Sequence, residues 1–172
     1  MASIYMRVDG VKVKGGATIE GLPQDGWFAL NSYSWGAVRQ VAMEIGSGNN
    51  ADSGMVAMSE VSITKELCGA SEDLLSFLFS PGVEGKNVDI VFTKAARDGS
   101  GAEIYYQVGL KKARVVSYNL SGSDGSQPFE SISLSYIQVD KKHRHELDGG
   151  KLEDGGLVSY NVPQGKLISG TK

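Results

Sequence analysis

A chain of 172 residues, 41% hydrophobic and 22% charged, has room for one domain with a genuine core. Its 17 basic and 20 acidic residues leave a formal net charge of -3, which supplies no basic field to hold DNA or RNA. A single cysteine, Cys68, cannot close an intramolecular disulfide, and no apolar run approaches the ~20 residues of a membrane-spanning helix, so neither a disulfide scaffold nor membrane insertion is expected.

Apolar residues mostly alternate, the spacing of strands rather than helices. The first segment, Ile4 to Val8, is read as a strand; Met1 to Asp9 lacks the basic-then-apolar order of a signal peptide, so export is expected to need no cleaved leader. Strands are expected next over Trp27 to Trp35 and Val38 to Ile45. The run from Gly46 to Gly54 has no apolar anchor before Met55 and is expected to project as an extended loop, about 46–55. Met55 to Leu67 returns to strand, clearest in Val61-Ser62-Ile63-Thr64.

Ala70 to Phe79 breaks the alternation. Ser71 suits a helix cap, Glu72 and Asp73 suit the first turn, and Leu74, Leu75, Leu78 and Phe79 share a helical face, predicting one short α-helix over about 71–79 that ends at Ser80-Pro81-Gly82. Strands follow over Val88 to Phe92 and Ile104 to Leu110, joined by a hairpin at Arg97-Asp98-Gly99-Ser100-Gly101, then over Val115 to Leu120, with a glycine-serine loop from Ser121 to Ser126. In Ser131 to Tyr136, Ile132, Leu134 and Tyr136 take one face. The phase then slips to Ile137 and Val139, which predicts a bulge or sharp twist near Tyr136. Lys141 to Gly156 reads as an exposed connection to a last strand, Leu157 to Val162. The expected architecture is mostly β: a compact barrel or sandwich of two antiparallel sheets with one helix, a single domain over 1–172.

Chemistry is sparse. His143 and His145 have metal-ligand spacing in a strand, with Glu146 and Asp148 near, but the flanking Lys141, Lys142 and Arg144 repel a cation, so a solvated charge run is the better reading. Cys68 lacks a local histidine and reads as a small buried hydrophobe. Gly46-x-Gly48 is not followed by the helix a phosphate cradle requires. Glu72 and Asp73 are explained by the helix start without glycosidase chemistry. No catalytic residue, cofactor or metal is expected. Trp27, Tyr33 and Trp35, at even spacing, form either a core face or a sugar-binding platform, and Phe28 lies on the opposite face, free for the core or a lateral neighbour.

With those residues in view, the chain resembles the Hcp family, the tube proteins of the bacterial type VI secretion system. The resemblance rests on Asn31-Ser32-Tyr33-Ser34-Trp35-Gly36, the glycine-serine loop after it, Val61 to Leu67 with its Thr64-Lys65 pair, and the helix opening at Ala70-Ser71-Glu72-Asp73-Leu74-Leu75. Lys86 to Lys94, the Tyr-rich Ile104-Tyr105-Tyr106 running to Val116-Ser117, and Glu130 to Val139 follow in the family's order. Gly69-Ala70 and Ser80 to Gly85 depart from the common pattern. The resemblance implies hexameric rings that stack head to tail inside a contractile sheath with its baseplate, a VgrG-type spike at the tip, effector proteins in the lumen, assembly in the cytoplasm, and secretion. It makes the loop residues Gly46, Ser47, Gly48, Asn49, Asn50, Asp52 and Met55 candidates for ring stacking, and Trp27, Phe28, Tyr33 and Trp35 candidates for lateral contact or core. The alternative is a monomeric carbohydrate- or ligand-binding β-sandwich.

Overall fold

In the computed structural model, residues 2–14, 16–23, 25–41, 45–46 and 55–169 are described. They form twelve strands and one helix. The main sheet runs in the order β12 (Lys166–Ser169), β11 (Leu152–Asn161), β10 (Gln138–Glu146), β8 (Ala102–Ser121), β7 (Lys86–Ala95), β1 (Ser3–Val8) and β2 (Phe28–Leu30). A second antiparallel layer joins β3 (Ser32–Ser34), β6 (Val61–Glu66), β9 (Phe129–Ser135) and the far half of β8. The two sheets make a sandwich that does not close into a barrel.

The long strand β8 belongs to both sheets. It pairs with β10 up to Lys111 and with β7 up to Ala113, and from Arg114 it pairs with β9. The turn between those halves falls at Lys112, whose φ of 51° is left-handed for a non-glycine residue and whose N–H donates to Asn87 Oδ1 at 3.3 Å. The two strands expected from Ile104 to Leu120 are therefore one bent strand. The phase slip at Tyr136 is a corner: β9 ends in the second sheet, and after Ile137, which donates to the Lys111 carbonyl at 3.0 Å, β10 begins in the first.

A third corner divides the strand expected over Trp27 to Trp35. β2 pairs with β1, Asn31 donates to the Thr64 carbonyl at 2.8 Å, and β3 pairs with β6. Val38 to Ile45 is strand only over β4 (Ala37–Arg39), which pairs with β5 (Val56–Met58) in a separate two-stranded sheet; 42–44 lie outside the described residues. Lys141 to Gly156 is not a loose connection: it is an antiparallel hairpin of β10 and β11, although much of it is exposed.

The helix α1 (Ser71–Phe79) stands where the pattern places it, but its details differ. Leu74 and Phe77 are buried in the core, whereas Phe79 is 76% exposed. The N-cap is Ala70, without a side-chain cap bond, because the Ser71 hydroxyl is drawn inward. The core joins Met6, Val88, Ile90, Val108 and Leu110 of the main sheet to Val61, Ile63, Ile132 and Leu134 of the second, with Leu74 and Phe77 against them. At about 1.5–3 kcal/mol for each large apolar side chain removed from water, this burial is the main stabilising force.

Candidate functional site

The hairpin β4–β5 stands apart from both main sheets. Its base is closed by Gly36 and Ser59: the Gly36 N–H donates to Ser59 Oγ at 2.8 Å and the Ser59 N–H to the Gly36 carbonyl at 2.9 Å. Beyond that base Val38, Val41, Ile45 and Met55 are exposed, a density of apolar side chains that an isolated hairpin does not need. Of the stacking candidates, Gly46 is exposed with a φ of +90°, and Met55 is 76% exposed. Ser47, Gly48, Asn49, Asn50 and Asp52 lie outside the described residues. A Cβ built on Gly165 would come within 2.5 Å of the Met55 Cε methyl, so the return of the hairpin rests on the β11–β12 turn.

The aromatic candidates separate at Asn31. Trp27 is covered by its own preceding loop, its Nε1 donating to the Pro23 carbonyl at 2.7 Å, and Phe28 lies in the core. Tyr33 and Trp35 belong to a different cluster. Tyr33 meets the Phe92 ring edge-on at 5.4 Å, and Phe92 meets Tyr106 at 5.4 Å. Burial, with Tyr106 and Tyr136 adding to it, pushes the Tyr33 phenol well above its ordinary value.

Trp35 donates through Nε1 to Tyr136 Oη at 2.5 Å, and Tyr136 Oη donates to the Ser59 carbonyl at 2.8 Å. The Lys141 ammonium sits 3.3 Å from the Trp35 ring centroid, with burial lowering its amine to about 8. Trp35 thus fastens the root of the hairpin to the Tyr136 corner and to β10. Phe92 and Tyr106 come from other strands and Tyr136 from the corner after β9, and only their apolar phase could have signalled the cluster.

A second uncovered surface lies at the other edge of the main sheet. Among the described residues β12 pairs only with β11, and Leu157, Val158, Val162, Leu167 and Ile168 are all exposed there. An open edge with apolar flanks is the form of strand that pairs with another chain unless it is covered.

Among the described residues, a buried polar group joins β6, β8, β9 and the start of α1. Lys65 and Glu130 face each other across β6 and β9, both fully buried, and form an ion pair. Ser71 Oγ donates to Glu130 Oε2 at 2.9 Å and accepts from Lys65 Nζ at 3.0 Å and from the Cys68 N–H at 3.0 Å. Tyr118 donates to Glu130 Oε1, and its phenol is raised by burial and by that carboxylate. Strand phase did carry this signal: Lys65 follows Val61 and Ile63, and Glu130 precedes Ile132 and Leu134, on the buried face.

His143 and His145 share a face of β10 with ring centroids 5.5 Å apart. Neighbouring Glu146 is engaged by Lys94 at 2.6 Å and Arg97 at 2.7 Å, which hold its carboxyl below the usual range. Among the described residues no three His, Cys, Asp or Glu side chains converge as a metal site.

This sandwich with one helix is a known fold. A structure of a type six secretion system protein superposes with a TM-score of 0.79 at 22% identity, covering 97% of this chain and 99% of the other. Hcp1 from Salmonella typhimurium matches at 0.72 and 18% identity over 97% and 99% of the two chains. A chain of the anti-feeding prophage baseplate matches at 0.54 and 13% over 80% and 89%. No curated protein matches the sequence. These likenesses establish the fold. The family model described as "Type VI secretion system effector, Hcp" matches residues 5–143, and the chain belongs to that family, the secreted tube proteins of type VI secretion.

Proposed function

We propose that this chain is a ring-forming subunit of the type VI inner tube, closing into hexamers that stack head to tail. The observation that carries the proposal is a pair of unlike uncovered surfaces on one domain: the apolar β11–β12 edge and the detached β4–β5 hairpin. A closed ring needs one heterologous contact and stacking needs another, each joining two unlike patches, so these two surfaces supply one side of each contact. The edge strand serves the lateral contact. The hairpin and its loop, with Gly46, Ser47, Gly48, Asn49, Asn50, Asp52 and Met55, serve the adjacent ring. Tyr33 and Trp35 act by holding the hairpin root, while Trp27 and Phe28 support the lateral wall from inside.

In this reading the tube assembles in the cytoplasm, meets the sheath and baseplate, carries a VgrG-type spike at its tip and effectors in its lumen, and leaves the cell. The likeness to a baseplate chain supports that company. Light scattering of the purified protein is expected to give a hexamer-sized particle; a solitary chain at all concentrations, with tryptophan emission that responds to glycans, would instead establish the carbohydrate-binding alternative. Deleting Gly46 to Gly54 is expected to leave rings that no longer stack in electron micrographs. Tubes as abundant as those of the intact chain would refute the stacking role.

A further inference from the structure

Cys68 is the chain's one thiol, and its Sγ lies 3.2 Å from Lys65 Nζ. The two residues are unlike in access. Lys65 is fully buried, whereas Cys68 is partly exposed and lines an open cavity of about 540 Å³ together with Phe28, Asn31 and Glu66. A small oxidant can therefore reach the sulfur, and behind the sulfur stands an amine. On the far side of that amine is Glu130, in contact with Nζ and placed to take its proton.

We propose that Cys68 and Lys65 form a peroxide-driven covalent switch, a sulfenamide cross-link between the end of β6 and the turn that opens α1. The sulfur of Cys68 attacks hydrogen peroxide; the O–O bond breaks, one oxygen stays on sulfur as sulfenic acid, and the other leaves as water with the thiol proton. The Lys65 ammonium passes a proton to Glu130, and the freed amine attacks the sulfenic sulfur. The N–S bond forms, the S–O bond breaks, and a second water leaves with one amine hydrogen. A neutral Glu130 remains, still bonded by Tyr118 and Ser71. The amine competes well because it is held beside the sulfur by Ser71 and the Glu66 carbonyl, at 3.0 Å each, while further oxidant must arrive from solution. This step does not depend on the ring reading, since every group comes from one chain.

The test treats the full-length reduced protein with hydrogen peroxide and measures intact mass and peptide map without reductant. The expected product has lost two hydrogens, resists trypsin after Lys65, and reverts with dithiothreitol; Cys68→Ser gives none of it. Lys65→Arg is expected to trap several-fold more dimedone on Cys68 than the wild type, because a guanidinium cannot close the link. Should Lys65→Arg fail to fold, the wild-type mass decides alone. Sulfinic or sulfonic acid at Cys68 with normal cleavage after Lys65, or a dimedone adduct as abundant in the wild type as in Lys65→Arg, would overturn the proposal.

Discussion

Glu130 spends both carboxylate oxygens inside the protein, one on Tyr118 and the other on Lys65 and Ser71. Removing one side of such a pair strands the other charge away from water. Glu130→Ala is therefore expected to cost about 3–5 kcal/mol, read from urea unfolding. The double variant Lys65→Met, Glu130→Leu is expected to lose less than Glu130→Ala alone; a larger loss would mean that the pair stabilises by more than its desolvation costs.

Lys141 carries a pH signature. Burial holds its amine at about 8, below the ordinary 10.5, so the folded chain binds that proton less tightly than the unfolded chain does. The resulting destabilisation is fully present below pH 8 and fades as pH rises toward 10.5. Attraction of the ammonium to the Trp35 face works against this and makes the gain shallower. Between about pH 7 and about pH 9 the wild type is expected to gain stability relative to Lys141→Met in paired urea titrations. Parallel pH profiles would contradict it.

Elements show where local chemistry suffices. The helix, the Arg97 to Gly101 hairpin and the Ser121 to Ser126 loop follow from capping acids, apolar spacing and glycine, and each stands where those signals lie. Of the three corners, the one at Tyr136 is marked by its phase slip, whereas the other two are not. Asn31 and Lys112 sit inside runs of acceptable strand residues, and their bends arise because the chain must change sheets, a tertiary demand that period-two spacing does not record. The β10–β11 hairpin was hidden for another reason: its outward faces are so charged and glycine-rich that the sequence resembles a solvated connection.

Gly69 fastens one further element. It bridges to Lys14, and a Cβ there would collide with the Lys14 carbonyl, backbone that cannot swing aside. Gly69→Ala is expected to cost about 1–3 kcal/mol in thermal or urea unfolding. An unchanged midpoint would mean that the loop before Trp27 moves away freely.

At the scale of the molecule, the apolar phases fixed the sandwich and the ordered landmarks from Asn31 to Val139 matched the family, yet the paired surfaces were only partly legible. Trp27 reads from the sequence as either core or lateral contact, and its own loop encloses it. The β12 edge escaped notice because Lys166 to Ser169 is too short to show a period. Its weight in assembly has a direct measure: Leu167→Asp with Ile168→Asp is expected to shift the light-scattering mass toward single chains while the circular dichroism of the fold is kept. A particle of unchanged size would place the lateral contact elsewhere.

Because β8 passes unbroken from one sheet to the other, a push applied to either layer travels into its partner along covalent bonds as well as through packed side chains. Sliding the layers apart would have to shear many ladder hydrogen bonds at once, where peeling a lone strand breaks them in turn. A domain threaded in this way suits a part that is driven hard along one axis and must arrive undeformed.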